Sequence, residues 1–260
     1  MKAEINAFVP QFLGHVQQDP TYTNAALDAA WNITEPYTDD RYEQELLGLA
    51  VGAEIDYLTL RRIHCAAILD TYSCSSVAAW GAATANGHLY QTRDLDWDLG
   101  AGAHQYPAIV VYMPKEGHPH VNLTFAGQVG SHTGMNTAGI GLAEMGDSPG
   151  SDRPFDLEGV HFLPLFRTLL YDAESLTEAL EILTNAPRIK RYHYVFGDGK
   201  TETAAAKIRA HAPLTPPDDL AIWRDNDPAD EFAPEVLDDV VYNEQYDFYA
   251  LTRHVNVAEA

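Results

Sequence analysis

The stretch SCSSVAAWGAATANGHLYQTRDLDWD, from Ser73 to Asp98, decides the fold of this chain. It contains two runs of strand-forming residues on either side of the dipeptide Asn86-Gly87. Asn-Gly is the strongest short-range hairpin signal, because a type I′ turn requires a positive φ angle at both central residues. We therefore predict a β-hairpin that turns at this dipeptide and carries Cys74 near the start of its first strand.

Arg93 and Asp96 fall on the second strand of the predicted hairpin. An uninterrupted two-residue turn would pair Cys74 with Leu99. Asp96 would then lie roughly 10 Å along the second strand from the position opposite Cys74, at ~3.3 Å per residue. Arg93 would lie about twice as far away. A β-bulge at Trp80-Gly81, or a wider turn, would close much of this gap. The hairpin therefore permits a contact between Cys74 and these two side chains without requiring it.

The sequence offers candidates for the cation and the base that a nucleophilic cysteine at position 74 would need. The reactive form is the thiolate, which requires a nearby positive charge and a base that accepts the proton. Arg93 could supply the charge, whereas no histidine has the local pattern of a papain-like protease. The other available base is the α-amine of the nucleophile itself, with a pKa of about 8, and a carboxylate such as Asp96 could orient that amine. The alternatives are an inert strand cysteine and a purely structural ion pair between Arg93 and Asp96.

Such an amine becomes free only when the bond between Ser73 and Cys74 is cut. The thiol would attack the Ser73 carbonyl, and water would hydrolyse the resulting thioester. Residues 1–73 would then be a pro-segment and residues 74–260 the catalytic part, within one domain that spans residues 1–260.

Composition narrows the classes of function. The 260 residues are 46% hydrophobic and 21% charged, which is ordinary for a globular domain with a sizeable core. With 38 acidic against 16 basic residues the net charge is −22, so binding to nucleic acid is disfavoured. Adaptation to high salt and attraction of cationic substrates both stay open as explanations of this charge.

Hydropathy and cysteine content suggest a location. The opening residues lack the continuous apolar run of a signal peptide, and no segment approaches the ~20 apolar residues of a membrane span. Cys65 and Cys74 are the two cysteines, too few for a disulfide framework. We expect a cytoplasmic protein with no membrane partner, in which Cys65 is a small buried residue of a helix.

The rest of the chain alternates between helical and strand-like patterns. Apolar spacing predicts helices over 39–51 and 56–70, a helix pair over 162–172 and 174–187, and a closing helix over 240–255. Short β-type runs occupy 77–80, 88–93, 107–113, 120–127 and 139–144, a later hairpin turns at Asp198-Gly199, and a strand covers 220–226. This order indicates a layered α+β fold with mostly antiparallel sheets.

The nucleophile hairpin resembles that of the cysteine N-terminal nucleophile (Ntn) hydrolases, a superfamily with choloylglycine hydrolase-like, isopenicillin N acyltransferase-like and phospholipase B-like branches. The family pattern is a Cys, a hairpin and then Arg-Asn-x-Asp, and this chain has Cys74 followed by Arg93-Asp94-Leu95-Asp96. Three other stretches resemble family motifs: RYEQELLGLAVGAEIDYLTL (41–60), TGMNTAGIGLAE (133–144) and HYVFGDGK (193–200). The resemblance implies a four-layer αββα sandwich.

The resemblance also implies roles for particular residues. Cys74 would be nucleophile and, through its amine, base, with Arg93 and Asp96 around it. Asn226 in DNDPADEF would be the oxyanion donor, and Gly146 could offer only a backbone N–H. The substrate would be a small-molecule acyl amide, hydrolysed or used for acyl transfer, and no cofactor or metal would be needed. A homo-oligomer stays open.

The chain departs from the family pattern at identifiable places. Asp94 replaces the usual Asn, the acidic residue of the late hairpin falls near Ala206 and Lys207, and Arg253 is a weak match for a later arginine. These departures keep open the alternative of a non-catalytic relative with a binding or structural role. Asn136 and Gly139 in GMNTAG are expected to be turn residues with positive φ.

Overall fold

The protein is described here by a computed structural model. It describes residues 1–69, 73–81, 84–146, 157–189 and 192–200, and the backbone of strands at 205–210, 220–224, 240–243 and 248–252. The helices are α1 (Lys2–Val16), α2 (Asn24–Thr34), α3 (Asp40–Ala53), α4 (Tyr57–Leu69), α5 (Phe162–Asp172) and α6 (Leu176–Asn185). The strands are β1 (Ser73–Gly81), β2 (Gly87–Asp96), β3 (Pro107–Tyr112), β4 (His120–Phe125), β5 (Thr133–Asn136), β6 (Ile140–Gly146), β7 (Tyr192–Asp198), β8 (Ala205–Ala210), β9 (Leu220–Arg224), β10 (Val240–Asn243) and β11 (Phe248–Thr252).

The predicted helices before the nucleophile hairpin are confirmed, and side-chain caps fix where they begin. The Asp39 carboxylate accepts a hydrogen bond from the Arg41 N–H at 2.8 Å, and the Asp56 carboxylate accepts one from the Thr59 N–H at 2.8 Å. Each bond satisfies a backbone donor that the first helical turn leaves without a partner. Helix α3 runs one residue past the expected stop at Gly52, because Glu54 adopts the left-handed conformation (φ +54°) that closes it.

The strands form two antiparallel sheets. The smaller has the order β10-β11-β1-β2, and the larger has the order β3-β4-β5-β6-β7-β8-β9. Strand β5 was not predicted, because GMNTAG was interpreted as a turn. Asn136 belongs to β5 and does not have a positive φ, whereas Gly139 does, at +87°. The Asn136 side chain donates to the carbonyls of Leu170 and Ala173, so it ties β5 to α5.

The predicted closing helix is wrong. Its residues form β10 and β11, and β11 pairs with β1 from Ser75–Thr252 to Ala79–Phe248. The helical interpretation relied on apolar spacing alone, although Val, Tyr and Phe dominate this stretch and favour strands. As the second neighbour of β1, β11 satisfies the backbone groups on the side of β1 away from β2. The spacing of apolar residues within one segment does not predict such a long-range pairing.

The hairpin forms, but with a different turn and register from the predicted ones. Cys74 pairs with Leu95 rather than Leu99, and the register shifts between Ala79 and Gly81, where a bulge was considered. Gly81 pairs with Gly87, so the connection is longer than a two-residue turn. Of the turn dipeptide only Gly87 has a positive φ (+74°), since the Asn86 side chain instead accepts a hydrogen bond from the His88 N–H.

The two sheets stack on each other, and a helix pair covers the far side of the larger one. One core cluster joins Cys74 and Trp80 of β1 to Leu142 of β6, Phe166 of α5 and Tyr194 of β7. Strand β7 is buried along its whole length because both of its faces are covered. The predicted α+β class, with stacked antiparallel sheets and flanking helices, is confirmed.

Helices α1 to α4 have their own core beside the sheets. Phe8, Leu27, Leu46 and Leu60 form its centre, and this cluster includes Val129 in the loop that follows β4. Helix α4 ends at Leu69, and β1 begins at Ser73.

Candidate functional site

Cys74 lies near the start of β1 with its side chain in the space between the two sheets. It forms no disulfide bond and is only 1% exposed. Arg93 of β2 faces Ser76, and since side chains two residues apart share a face, its guanidinium reaches back toward Cys74. The Arg93 Nη2 lies 3.0 Å from the Cys74 Sγ. The register shift thus brings together two of the predicted site residues.

Glu144 of β6 holds Arg93 in this position, and the sequence analysis missed it. The Arg93 Nε donates to the Glu144 backbone carbonyl at 2.8 Å, and Nη2 lies 3.3 Å from the Glu144 Oε2. The two side chains are 7% and 0% exposed, respectively. A buried arginine needs a counter-charge. An acidic residue at an inward position of a buried strand was therefore the signal by which the sequence could have indicated Glu144. GLAE offered that signal, but only the pairing of the sheets shows which cation it faces.

His132 stands beside Glu144 in an aromatic enclosure. Its Nδ1 lies 3.8 Å from the Glu144 Oε2, and its ring packs at 5.3 Å from Phe162 and 6.1 Å from Phe125. Burial lowers the pKa of His132 because the charged imidazolium is disfavoured, although Glu144 acts in the opposite direction. Among the described residues, Arg93 is therefore the cation that contacts the thiol. His132, which is neutral, lies next to Glu144, the carboxylate partner of Arg93.

Asp96 lies next to the predicted cleavage point but on the other face of the sheet. It pairs with Ser73, so its backbone adjoins the bond between Ser73 and Cys74. The burial of β2 alternates, and Asp94 and Asp96 both belong to its exposed face, opposite to that of Arg93. The Asp96 carboxylate is thus on the face of the sheet away from the thiol.

The remaining predicted residues contribute no described side chain to this site. Asn226 and Arg253 lie outside the described residues. Gly146 is the last residue of β6 and pairs with Tyr192.

An apolar cleft opens beside Arg93. It lies between β2, at one end of the strand order of the smaller sheet, and β3 and β4, at one end of that of the larger sheet. Ile109 and Leu123 are therefore 71% and 49% exposed. The cleft has a volume of about 440 Å³, and its walls include Leu95, Pro107, Ile109, Leu123, Phe125 and, as polar members, Arg93 and His132. Leu95 pairs directly with Cys74 and Arg93 contacts its sulfur, so two of the cleft's wall residues are neighbours of the cysteine.

Clusters suited to a metal ion and helices able to span a membrane are both absent from the described residues. No cluster of three or more His, Cys, Asp or Glu side chains suited to a metal ion occurs in that part of the chain. None of its helices combines the length and apolar character needed to cross a membrane.

Comparison with known families assigns the chain. The family model of acyl-coenzyme A:6-aminopenicillanic acid acyl-transferase matches residues 83–227, more than half of the sequence. The chain belongs to this family. The resemblance to cysteine Ntn hydrolases is thereby confirmed at the level of the superfamily.

The individual relatives of known sequence share about a third of their aligned residues with this chain or fewer. Protein dcd1B of Dictyostelium discoideum is 31% identical over 253 residues, covering 95% of this chain and 49% of that protein. Protein dcd1A of the same organism is 30% identical over 251 residues, covering 92% and 55%. The chain thus spans about half the length of these curated relatives. The structure of an N-acylethanolamine-hydrolyzing acid amidase ortholog from Caenorhabditis elegans aligns with a TM-score of 0.49 and 16% identity, covering 69% of this chain and 70% of that one.

Proposed function

We propose that this protein is a cysteine N-terminal nucleophile enzyme that cuts a linear amide C–N bond, with Cys74 as the nucleophile. The observation that carries the proposal is the 3.0 Å contact between the Cys74 Sγ and the Arg93 Nη2. A guanidinium at this distance favours the thiolate over the thiol, which is the form that attacks a carbonyl carbon. The apolar cleft that Arg93 and Leu95 wall, next to Cys74 in the fold, provides room for a substrate.

Activation begins with the chain's own peptide bond. The Cys74 sulfur attacks the Ser73 carbonyl carbon, the C–N bond between the two residues breaks, and the new α-amine takes up a proton. Water then hydrolyses the thioester, which releases the Ser73 carboxylate and the thiol. Asp96, whose backbone pairs with Ser73, is proposed to hold the new amine.

The substrate reaction repeats the same chemistry. The sulfur adds to the amide carbonyl carbon, the α-amine of Cys74 delivers a proton to the leaving nitrogen, and an acyl-thioester remains. Water completes a hydrolysis, whereas a second amine completes an acyl transfer. Asn226 is proposed as the oxyanion donor, since the family places an amide there.

Intact mass after expression tests the proposal. A split into two fragments between Ser73 and Cys74 is the expected result, and it should be absent in Cys74→Ala. A single uncut chain in the wild type, with Cys74 unreactive toward iodoacetamide, would instead favour the non-catalytic alternative. Since Cys74 is buried, labelling is compared with a denatured sample of the same protein.

A further inference from the structure

Four buried ionisable side chains meet at the proposed nucleophile. The Arg93 Nη2 lies 3.0 Å from the Cys74 Sγ and 3.3 Å from the Glu144 Oε2. The His132 Nδ1 lies 3.8 Å from the same carboxylate oxygen. None of these four side chains is more than 7% exposed. A charge gained or lost by one of them therefore acts on the others with little screening by water.

The charges of this group balance only while the thiol keeps its proton. The Arg93 guanidinium then cancels the Glu144 carboxylate, and His132 is neutral. Loss of the thiol proton leaves two anions opposite one cation, and a net charge away from water is costly. Since the proposed attack requires the thiolate, a second group that gains a proton as the sulfur loses one would keep the site neutral.

The base of the substrate reaction is not yet available during self-cleavage. That base is the α-amine of Cys74, and before the cut the same nitrogen belongs to the peptide bond with Ser73. A peptide nitrogen shares its lone pair with the carbonyl group, so it does not serve as a base. The first attack on the chain's own bond therefore needs a different proton acceptor.

The surroundings of His132 keep its imidazole neutral until the thiol ionises. The charged and titratable groups that act on it are Glu144 from β6, Arg93 from β2 and His64 from α4. Aromatic side chains also pack against the ring, namely those of Trp97, Phe125 and Phe162. Burial lowers the pKa of His132, whereas Glu144 acts to raise it. A thiolate at Cys74 would add a second anion to the effect of Glu144, so the two sites titrate together.

His132 compares favourably with the other titratable groups at this carboxylate. An imidazole ordinarily holds a proton about two pH units more strongly than a carboxylate does. Tyr194, which pairs with Glu144 across β6 and β7, already carries its phenolic proton, because burial raises its pKa. A protonated His132 would also form an ion pair with the Glu144 Oε2 that its Nδ1 faces.

We propose that His132 is a positioning residue for self-cleavage, which takes up a proton as the Cys74 thiol loses one. The imidazolium then pairs with the Glu144 carboxylate, which leaves the Arg93 guanidinium to the thiolate. When the C–N bond before Cys74 breaks, the leaving nitrogen gains a proton and His132 gives one up, so the site ends as neutral as it began. The inference rests on the proposed function, because it takes Cys74 to attack its own peptide bond.

Refolding of the full chain allows the reaction to be timed. Chains purified in urea are uncut because the site is unfolded, and dilution into buffer starts folding and then cutting, which intact mass follows with time. His132→Phe suits the aromatic surroundings but holds no proton, and His132→Gln keeps a polar side chain that does not titrate. At neutral pH both should be cut at least about tenfold more slowly than wild type, the effect of one pH unit in thiol ionisation.

His161→Phe is the matched control. His161 is also buried, and its ring packs 4.4 Å from that of Phe162. Its two ring nitrogens, however, face the Leu163 N–H and the Tyr192 hydroxyl. This variant should be cut at the wild-type rate. Near-ultraviolet circular dichroism verifies that each variant refolds, and His132→Gln keeps the test valid if His132→Phe does not.

The pH dependence separates a proton acceptor from a merely structural residue. Transfer from Cys74 to His132 exchanges no proton with solvent, so the wild-type rate should vary by less than about threefold between about pH 6.5 and 8.5. In both variants the thiol must lose its proton to solvent, so the rate should rise about tenfold per pH unit. A slower cut with the wild-type pH profile would overturn the inference.

The outcomes also separate this inference from the proposed function. Cutting of either variant at the wild-type rate overturns the role of His132 and leaves Cys74 as the nucleophile. If wild type is never cut, the proposed self-cleavage fails, and the ultraviolet absorbance of a thiolate is measured on the same uncut chains. Burial raises the pKa of Cys65 to about 12, so this signal reports Cys74 at neutral pH. A signal that His132→Phe removes then supports the coupling, whereas an equal signal or none overturns it as well.

Discussion

Cys65 and Cys74 are the two cysteines of the chain; neither forms a disulfide bond, and both are buried, at 0% and 1% exposure. Cys65 lies on α4 in the core of the N-terminal helices, where burial raises its pKa to about 12. Cys74 lies between the sheets with the Arg93 guanidinium 3.0 Å from its sulfur. Burial alone therefore does not distinguish the proposed nucleophile from a core residue. The distinguishing features are a fixed cation and an adjoining cleft.

Substituting the two cysteines gives the largest expected difference. Cys74→Ala should abolish both the cut after Ser73 and all amide hydrolysis, because it removes the proposed nucleophilic thiol. Cys65→Ala should retain both and lose roughly 1 kcal/mol of stability from the small void. Mass spectrometry, an amide hydrolysis assay and urea unfolding measure these effects. Processing in Cys74→Ala would contradict the assignment of the nucleophile.

Two arginines sharpen the same comparison. Arg93→Lys should lower the hydrolysis rate by at least ~100-fold, the scale of losing a positioned electrostatic donor. A lysine lacks the planar fork by which the Arg93 Nε bonds the Glu144 carbonyl while Nη2 lies at the Cys74 sulfur. Arg61→Lys, beside the other cysteine, is the matched control and should leave the rate unchanged. Equal effects of the two substitutions would remove the special role of Arg93.

Glu144 and Glu45 form a second matched pair. Glu144→Gln leaves Arg93 buried without its counter-charge and should cost about 3 kcal/mol in the free energy of unfolding, together with a fall in kcat. Glu45 binds another buried arginine, Arg167, at 2.7 Å, so Glu45→Gln should destabilise the fold without changing kcat in the folded fraction. Urea unfolding and initial rates on the same samples compare the two; an unchanged kcat in Glu144→Gln would refute the positioning role.

Acid should weaken the helical core around Cys65. Burial lowers the pKa of the neighbouring His64 to about 4, and its Nε2 accepts a hydrogen bond from the Val129 N–H at 2.9 Å. Since the unfolded chain takes up the proton near pH 6.5, stability is complete above that value and falls as the pH drops toward 4, by up to about 3 kcal/mol. Urea unfolding across this range measures the slope, and His64→Gln should flatten it. A slope that persists unchanged would assign the effect to other groups, such as His120.

Local rules determined much of the fold. The hairpin, most helices and most strands follow from capping residues and apolar periodicity, which act within a few residues. The α5 boundaries were predicted as observed, whereas the strands β10 and β11 were interpreted as a helix. Pairing of β11 with β1 depends on residues far apart in the chain, which short-range patterns do not encode.

The site divides in the same way. The sequence by itself indicated Cys74 as a candidate nucleophile. It also indicated Arg93 and Asp96, on the other side of the turn, as candidate residues of the same site. The tertiary structure decided the register that brings the Arg93 guanidinium to the sulfur, and the stacking of the sheets that sets Glu144 behind it. The reason is physical: the hairpin bulge and the packing of one sheet on the other fix distances of a few ångströms, and a linear pattern specifies only which residues are available to meet.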